Sequence, residues 1–278
     1  MLPSLNSTLT VFSVVAVHGL GAHPEFTWTT RGPNQSRVNW LTDLFPRDFS
    51  KARVMTFGHN SDWFVRASNN TPFENAKMLL RAVNEERREH HKCPIIFIGH
   101  SFGGIIIKEA ICLAETDKQY RDILDDTIGI IFLGTPHQGS NVSQFGALIA
   151  RLTRVFGSST ILLKSLYRDN PHLSDLQERF MSVIRRRKDI KLVTMYEKHH
   201  TYFAQLIYLG FIVERNAAVL DVAENIAVEK DHMGLNKCAS PDDPAYDAIC
   251  QGINKIRDHA ESRGWKKNYL NWSERSRL

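Results

Sequence analysis

Apolar and polar positions change places along this chain in blocks. Six short runs stand out: Val11–Val17, Ala52–Phe57, Pro94–Gly99, Thr127–Leu133, Ile190–Tyr196 and, less sharply, Asn225–Val228. Most are near-continuous Val, Ile, Leu and Phe, the composition of strands buried on both faces. Stretches with apolar residues at helical spacing separate them. Strands alternating with helices predict a mostly parallel sheet of about six strands with helices on both faces. The helix after the second run has a marked start, with Thr71 as N-cap, Pro72 at the first helical position and Glu74 closing a capping box. Another helix is expected over Ile105–Ala114.

The longest interruption, Ser140 to Asp189, separates the fourth and fifth runs. Val142, Phe145, Ile149, Leu152 and Phe156 alternate in steps of three and four, and Gly157 stops them. Leu173, Leu176, Phe180, Val183 and Ile184 predict a later helix entered through Ser174, with Gln177 three residues on. We expect this insertion, about 140–189, to form a helical cap, with plain packing at the sheet edge as the alternative. A second insertion, Lys198–Ala217, carries Tyr202, Phe203, Ile207, Tyr208, Leu209 and Phe211, suited to line a pocket or to join the core. Residues 1–251 are read as one domain and 252–278 as a basic helical tail with Trp265, Tyr269 and Trp272. The tail either docks on the core or leads toward a partner domain.

Composition narrows the classes. The chain has 278 residues, 42% hydrophobic and 23% charged, enough for one large core or two small ones. Its net charge of +5 is modest and locally clustered. "RRRK" (Arg185–Lys188) follows an apolar-periodic stretch, where a helix C-terminus favours cations, and no nucleic-acid motif accompanies it. No nucleic-acid partner is expected. Cys93, Cys112, Cys238 and Cys250 are widely spaced with no C-x-x-C pair, which suggests a reducing, cytoplasmic setting and no metal site. Leu9–Val17 is too short and too abruptly ended by glycine for a signal peptide or a membrane span.

Chemistry concentrates in "PIIFIGHSFGGIIIKEA", Pro94–Ala110. Gly99, Ser101 and Gly103 spell G-x-S-x-G, a spacing that chance also produces. Here it falls between a strand and a helix, where the turn would hold Ser101 on strained backbone with its hydroxyl over the sheet edge. A serine hydroxyl is a poor nucleophile without a histidine base, a carboxylate behind it and N–H groups aimed at the developing oxyanion. In this architecture the order along the chain is Ser, acid, His. "HGLG" (His18–Gly21) follows the first strand, so the N–H of Leu20 is one expected oxyanion donor and that of Phe102 the other. His232, in the loop "EKDHMGLNK", is the expected base. His259 sits in a charged helical stretch, His100 and His137 are expected to be buried and hydrogen-bonded near the site, and His199 and His200 come too early. For the acid, Glu197 at the end of "IKLVTMYE" leads, with Asp221, Glu224 and Asp231 as the other candidates.

"VHGLGAHPEFTWT", "FGHNSDW", "GHSFGGIIIKEA", "GIIFLGTPHQGS", "VTMYEKH" and "EKDHMGLNKCASPDDPAYDAI" together resemble the serine esterase/lipase domain of the α/β-hydrolase fold. That domain is found alone and at the N-terminus of fungal NOD-like receptor and repeat proteins. The resemblance spans roughly His18 to Ile249. It implies an α/β-hydrolase domain over 1–251, with Ser101 as nucleophile, His232 as base and the glutamate after the tyrosine, Glu197, as acid. The chain reaches the H-G-L-G strand almost at once, so the hairpin that usually opens the fold is expected to be absent. Phe102 stands where leucine is commoner, and the wording after His232 departs from the family's. The implied activity is cofactor-free hydrolysis of a small-molecule ester or lipid through an acyl-enzyme, with Phe145, Phe156 and Tyr202 as expected substrate contacts. A non-catalytic interaction or signalling domain is one alternative. Acyl transfer or carbon–carbon cleavage on a specialised metabolite is another.

Overall fold

The computed structural model describes residues 12–19, 26–32, 35–58, 71–90, 92–137, 170–203 and 207–264. The first elements are β1 (Phe12–Val17), β2 (Thr29–Arg31), β3 (Arg37–Asn39), α1 (Trp40–Asp43), α2 (Phe45–Asp48) and β4 (Ala52–Phe57). Then come α3 (Pro72–Glu89), β5 (Ile95–His100), α4 (Phe102–Thr116), α5 (Arg121–Asp125) and β6 (Thr127–Leu133). The rest are α6 (Asn170–Arg186), β7 (Lys191–Glu197), β8 (Thr201–Phe203), β9 (Ile207–Gly210), α7 (Arg215–Ala218), β10 (Glu224–Val228) and α8 (Pro244–Ser262).

All six expected runs are strands of one sheet, ordered β10-β7-β6-β5-β1-β4, and every pairing in it is parallel. The two antiparallel pairs, β2-β3 and β8-β9, lie outside it. Along β1, Phe12, Val14 and Ala16 pack on one face while Val15 and Val17 pack on the other, and β5 alternates likewise. One face is covered by α3, α4 and α6, the other by α1, α2 and α8. Strand order reverses around β1, whose neighbours are β4 and β5. In an open parallel sheet such a reversal leaves a crevice at the carboxyl ends of the strands. "HGLG" and Ser101 follow the two strands that flank it.

Two expectations change. The helix expected from Ser174 begins at Asn170, with Pro171 in the first turn, where no N–H is required of it. Its Leu176, Phe180, Val183 and Ile184 join Ile105 and Ile106 of α4 in one core, so residues 170–186 form a layer of the sandwich rather than a cap. Phe145 and Phe156 lie outside the described residues. The boundary placed at 251/252 falls inside α8, where Ile253, Ile256 and Ala260 are buried on the sheet. The core-packed helix therefore continues to Ser262, and 252–262 belong to the domain. The capping box of α3 is present as read, Thr71 Oγ1 accepting from the Glu74 N–H and Glu74 from the Thr71 N–H.

Helix α4 meets the sheet with almost no clearance. A Cβ on Gly103 would fall 2.2 Å from the Val17 carbonyl oxygen, and one on Gly104 would fall 2.1 Å from Thr135 Oγ1. Gly103→Ala has main chain as its obstacle, which cannot turn aside as a side chain does. It should cost about 3 kcal/mol or more in a urea titration. Wild-type stability in this variant would show that the approach is not as tight as described.

Candidate active site

Ser101 links β5 to α4 at φ 53° and ψ −120°, a region L-residues rarely occupy. Its peptide groups are pinned. Its N–H donates to the Leu133 carbonyl at 2.8 Å, and its carbonyl accepts from Gly104 N at 3.1 Å and Thr135 Oγ1 at 3.1 Å. Strain of this kind persists only where neighbours over-determine it, and here three hydrogen bonds do so. The turn after β1 lies against the elbow, since a Cβ on Gly19 would stand 3.2 Å from Ser101 Cβ. Phe102 opens α4, so its N–H lies in the first helical turn, directly after Ser101. Leu20, the other expected oxyanion donor, lies outside the described residues.

His232 has no exposed surface, and its Nδ1 lies 2.9 Å from Glu197 Oε2. A carboxylate only accepts, so Nδ1 carries the proton and the lone pair falls on Nε2. That nitrogen is buried without a hydrogen-bond partner. The imidazole lies over Gly134, just past β6, where an added Cβ would come within 2.9 Å of Nδ1 and Cε1. Glu197 ends β7, and its side chain is fully buried. Its Oε1 accepts from two consecutive backbone N–H groups, Ile212 at 2.7 Å and Val213 at 3.0 Å. The structure thus brings Glu197 to His232 and leaves the other carboxylates elsewhere. Asp221 is exposed, Glu224 pairs with Lys255, and Asp231 accepts from the Gly234 N–H at 2.8 Å.

A family model described as "Putative serine esterase (DUF676)" matches residues 74–221, just over half of the chain. The chain belongs to this family. The matched segment holds Ser101 and Glu197. Curated relatives include Protein SERAC1 of Danio rerio, 28% identical over 261 residues, and of Homo sapiens, 26% identical over 262. These alignments cover 86% and 87% of this chain but 38% of either relative, so the chain spans well under half the length of the relatives it matches. Among solved structures, the mature form of Bacillus licheniformis lipase BlEst2 superposes with a TM-score of 0.53 at 17% identity, covering 89% of this chain and 95% of that one. Its propeptide form gives 0.51 at 19%, covering 89% and 52%. These likenesses show the α/β-hydrolase fold. The family is the one described as a serine esterase.

The remaining histidines sort by position. His100 Nε2 donates to the His232 carbonyl at 3.1 Å, and the two rings lie 5.1 Å apart. Burial, reinforced by neighbouring His232, pushes His100 down to about 3. His137 is buried edge-on against Phe132, and neither ring nitrogen has a hydrogen-bond partner, contrary to the expectation that it would be bonded. Burial and nearby Lys108 hold it well below the usual histidine range. His199 faces Glu229, His200 accepts from the Tyr208 hydroxyl, and His259 donates to the Lys188 carbonyl, all near the surface. Tyr202 is 54% exposed, its ring against Tyr208. Tyr208, Leu209 and Phe211 border a surface cavity of about 440 Å³ with Glu214, Arg215 and Asn216.

Sequence reasoning missed Lys108, which lies buried in α4. Its Nζ donates to Gln177 Oε1 at 2.9 Å and the Pro136 carbonyl at 3.3 Å, and desolvation lowers it to about 7. It also missed the Ile212 and Val213 amides, because backbone donors leave no mark on residue identity. No helix among the described residues is long and apolar enough to cross a membrane.

A histidine depressed in the folded state contributes stability that is complete above its unfolded value, near 6.5, and is lost as pH falls toward the folded one. Each such group should cost about 1.4 kcal/mol per pH unit below 6.5. Removing one by His137→Leu should make the loss of stability between pH 6.5 and 4.5 shallower by that amount, measured by urea unfolding at each pH. An unchanged slope would mean that His137 is free to protonate in the folded protein.

Proposed function

We propose that this domain cleaves carboxylic esters, including lipid esters, through an acyl-enzyme on Ser101, with His232 as general base and Glu197 as the acid behind it. The observation that carries the reading is the buried 2.9 Å bond between His232 Nδ1 and Glu197 Oε2. It fixes the tautomer that leaves Nε2 able to take a proton, at the same strand edge as a strained serine. Attack by Ser101 Oγ on the ester carbonyl would pass the hydroxyl proton to Nε2 and leave an imidazolium that Glu197 stabilises. The negative oxygen would face the N–H groups of Phe102 and Leu20. Collapse would expel the alcohol, which takes the proton from Nε2. A water activated by the same histidine would then free the acid and regenerate the serine. The scheme draws on side chains and main-chain amides and calls for no cofactor or metal.

The family, described as "Putative serine esterase", supports the reading of the substrate as a carboxylic ester. Activity in a longer protein, of which such a domain is a part in the relatives, belongs to the same proposal. So does the cytoplasmic setting suggested by the free cysteines Cys93, Cys112, Cys238 and Cys250.

Ser101→Ala should retain the fold and lower hydrolysis of p-nitrophenyl esters by about 10⁵-fold or more, measured as kcat with contaminating esterases excluded. Retained turnover would sink the mechanism. Glu197→Gln keeps the shape but not the charge and should lower kcat by about 10³- to 10⁴-fold. Glu197→Asp should recover little, because the shorter side chain cannot span from the end of β7 to the ring. Asp221→Asn should stay near wild type, and a crippled Asp221→Asn beside an active Glu197→Gln would move the acid to Asp221.

A further inference from the structure

His232 lies in a loop between β10 and α8, where no strand or helix ladder holds its peptide groups. They are held by side chains instead. The His232 N–H donates to Thr201 Oγ1 at 3.3 Å, and the His232 carbonyl accepts from His100 Nε2 at 3.1 Å. Thr201 is 1% exposed and is the first residue of β8. In register it pairs with Gly210, the last residue of β9, and Ile212 and Val213 follow two and three residues later. Those are the residues whose amides hold Glu197 Oε1.

The stem of one hairpin therefore touches both members of the acid–base pair, through a hydroxyl on one leg and two amides just past the other. We infer that the β8–β9 hairpin is a positioning element for catalysis, with Thr201 as the positioning residue that sets the His232 main chain relative to Glu197. This rests on the proposed triad and goes beyond it. The alternative role for a buried threonine is packing, and shape separates the two. Valine fills the same space without the acceptor, whereas serine keeps the acceptor and loses the methyl group.

Neighbouring charges matter to any pH readout. Lys198 and His199 both face Glu229 at the surface, and His200 faces Tyr208. His100 is depressed to about 3 and stays neutral over the working range, so it remains an Nε2–H donor there.

The test is the second-order rate at which a fluorophosphonate probe labels Ser101 in the full chain, with folding checked by circular dichroism and thermal unfolding. Thr201→Val should label about ten- to a hundredfold more slowly, as expected for a misplaced base. Thr201→Ser should stay within about twofold of wild type, and the acid limb of the pH–rate profile should move in the valine variant only. If Thr201→Val does not fold, Thr201→Ala removes the same oxygen and takes its place in the comparison. Labelling of wild type and valine variant at equal rates overturns the inference and leaves the triad standing. Equal slowing in the valine and serine variants assigns Thr201 to packing and also overturns it. A wild-type protein that does not label at all overturns the triad, and the inference with it.

Discussion

A carboxylate with no access to water has to be met by donors, or it would not stay charged inside a protein. Glu197 meets three: the imidazole Nδ1–H of His232 and the amides of Ile212 and Val213. Much of the local architecture serves this requirement. Strand β7 must end where it does to place the carboxylate at the sheet edge. The chain must then run out through β8 and β9 and return so that two consecutive amides point back at it. The loop after β10 must bring an imidazole to the remaining oxygen. That loop is also tied down on its far side, where Trp40 Nε1 donates to the Asn236 carbonyl and Asn236 Nδ2 to the Thr27 carbonyl.

The serine is placed by a different physical means. Hard-sphere contact does the placing, through glycines that let α4 press onto β1 and the end of β6 and through a backbone twist held by one hydrogen bond donated to Leu133 and two accepted from Gly104 and Thr135. His232 is thus held by hydrogen bonds and a buried carboxylate, and Ser101 by close packing of α4 on the strands beneath it. Damage to one need not unfold the other.

Much of this was legible in the chain. The six strands were marked by their buried runs, the elbow by its glycines, and Thr71, Pro72 and Glu74 wrote a helix start that the structure reproduces. Glu197 was separable from Asp221, Glu224 and Asp231 because it alone closes a buried strand, and the structure places it on His232. The extent of α8 is hard to read in the sequence because its exposed face is charged while Ile253 and Ile256 are buried on the sheet. Helix α4 is apolar nearly all round, a sign that something covers both sides. That cover is α6, whose periodicity is plain in the sequence but whose partner, α4, is set by the tertiary packing. Lys108 was passed over because a lysine in a helix is normally solvated, and only α6 overhead makes it buried. The amides of Ile212 and Val213 could not be read at all, since every residue but proline has one.

The most direct measurement is peptide mapping by mass spectrometry after treatment of the folded protein with a fluorophosphonate. The account predicts one covalent adduct, on Ser101, which denaturing the protein beforehand abolishes. An adduct on another residue, or none under conditions where the fold is intact, would contradict it.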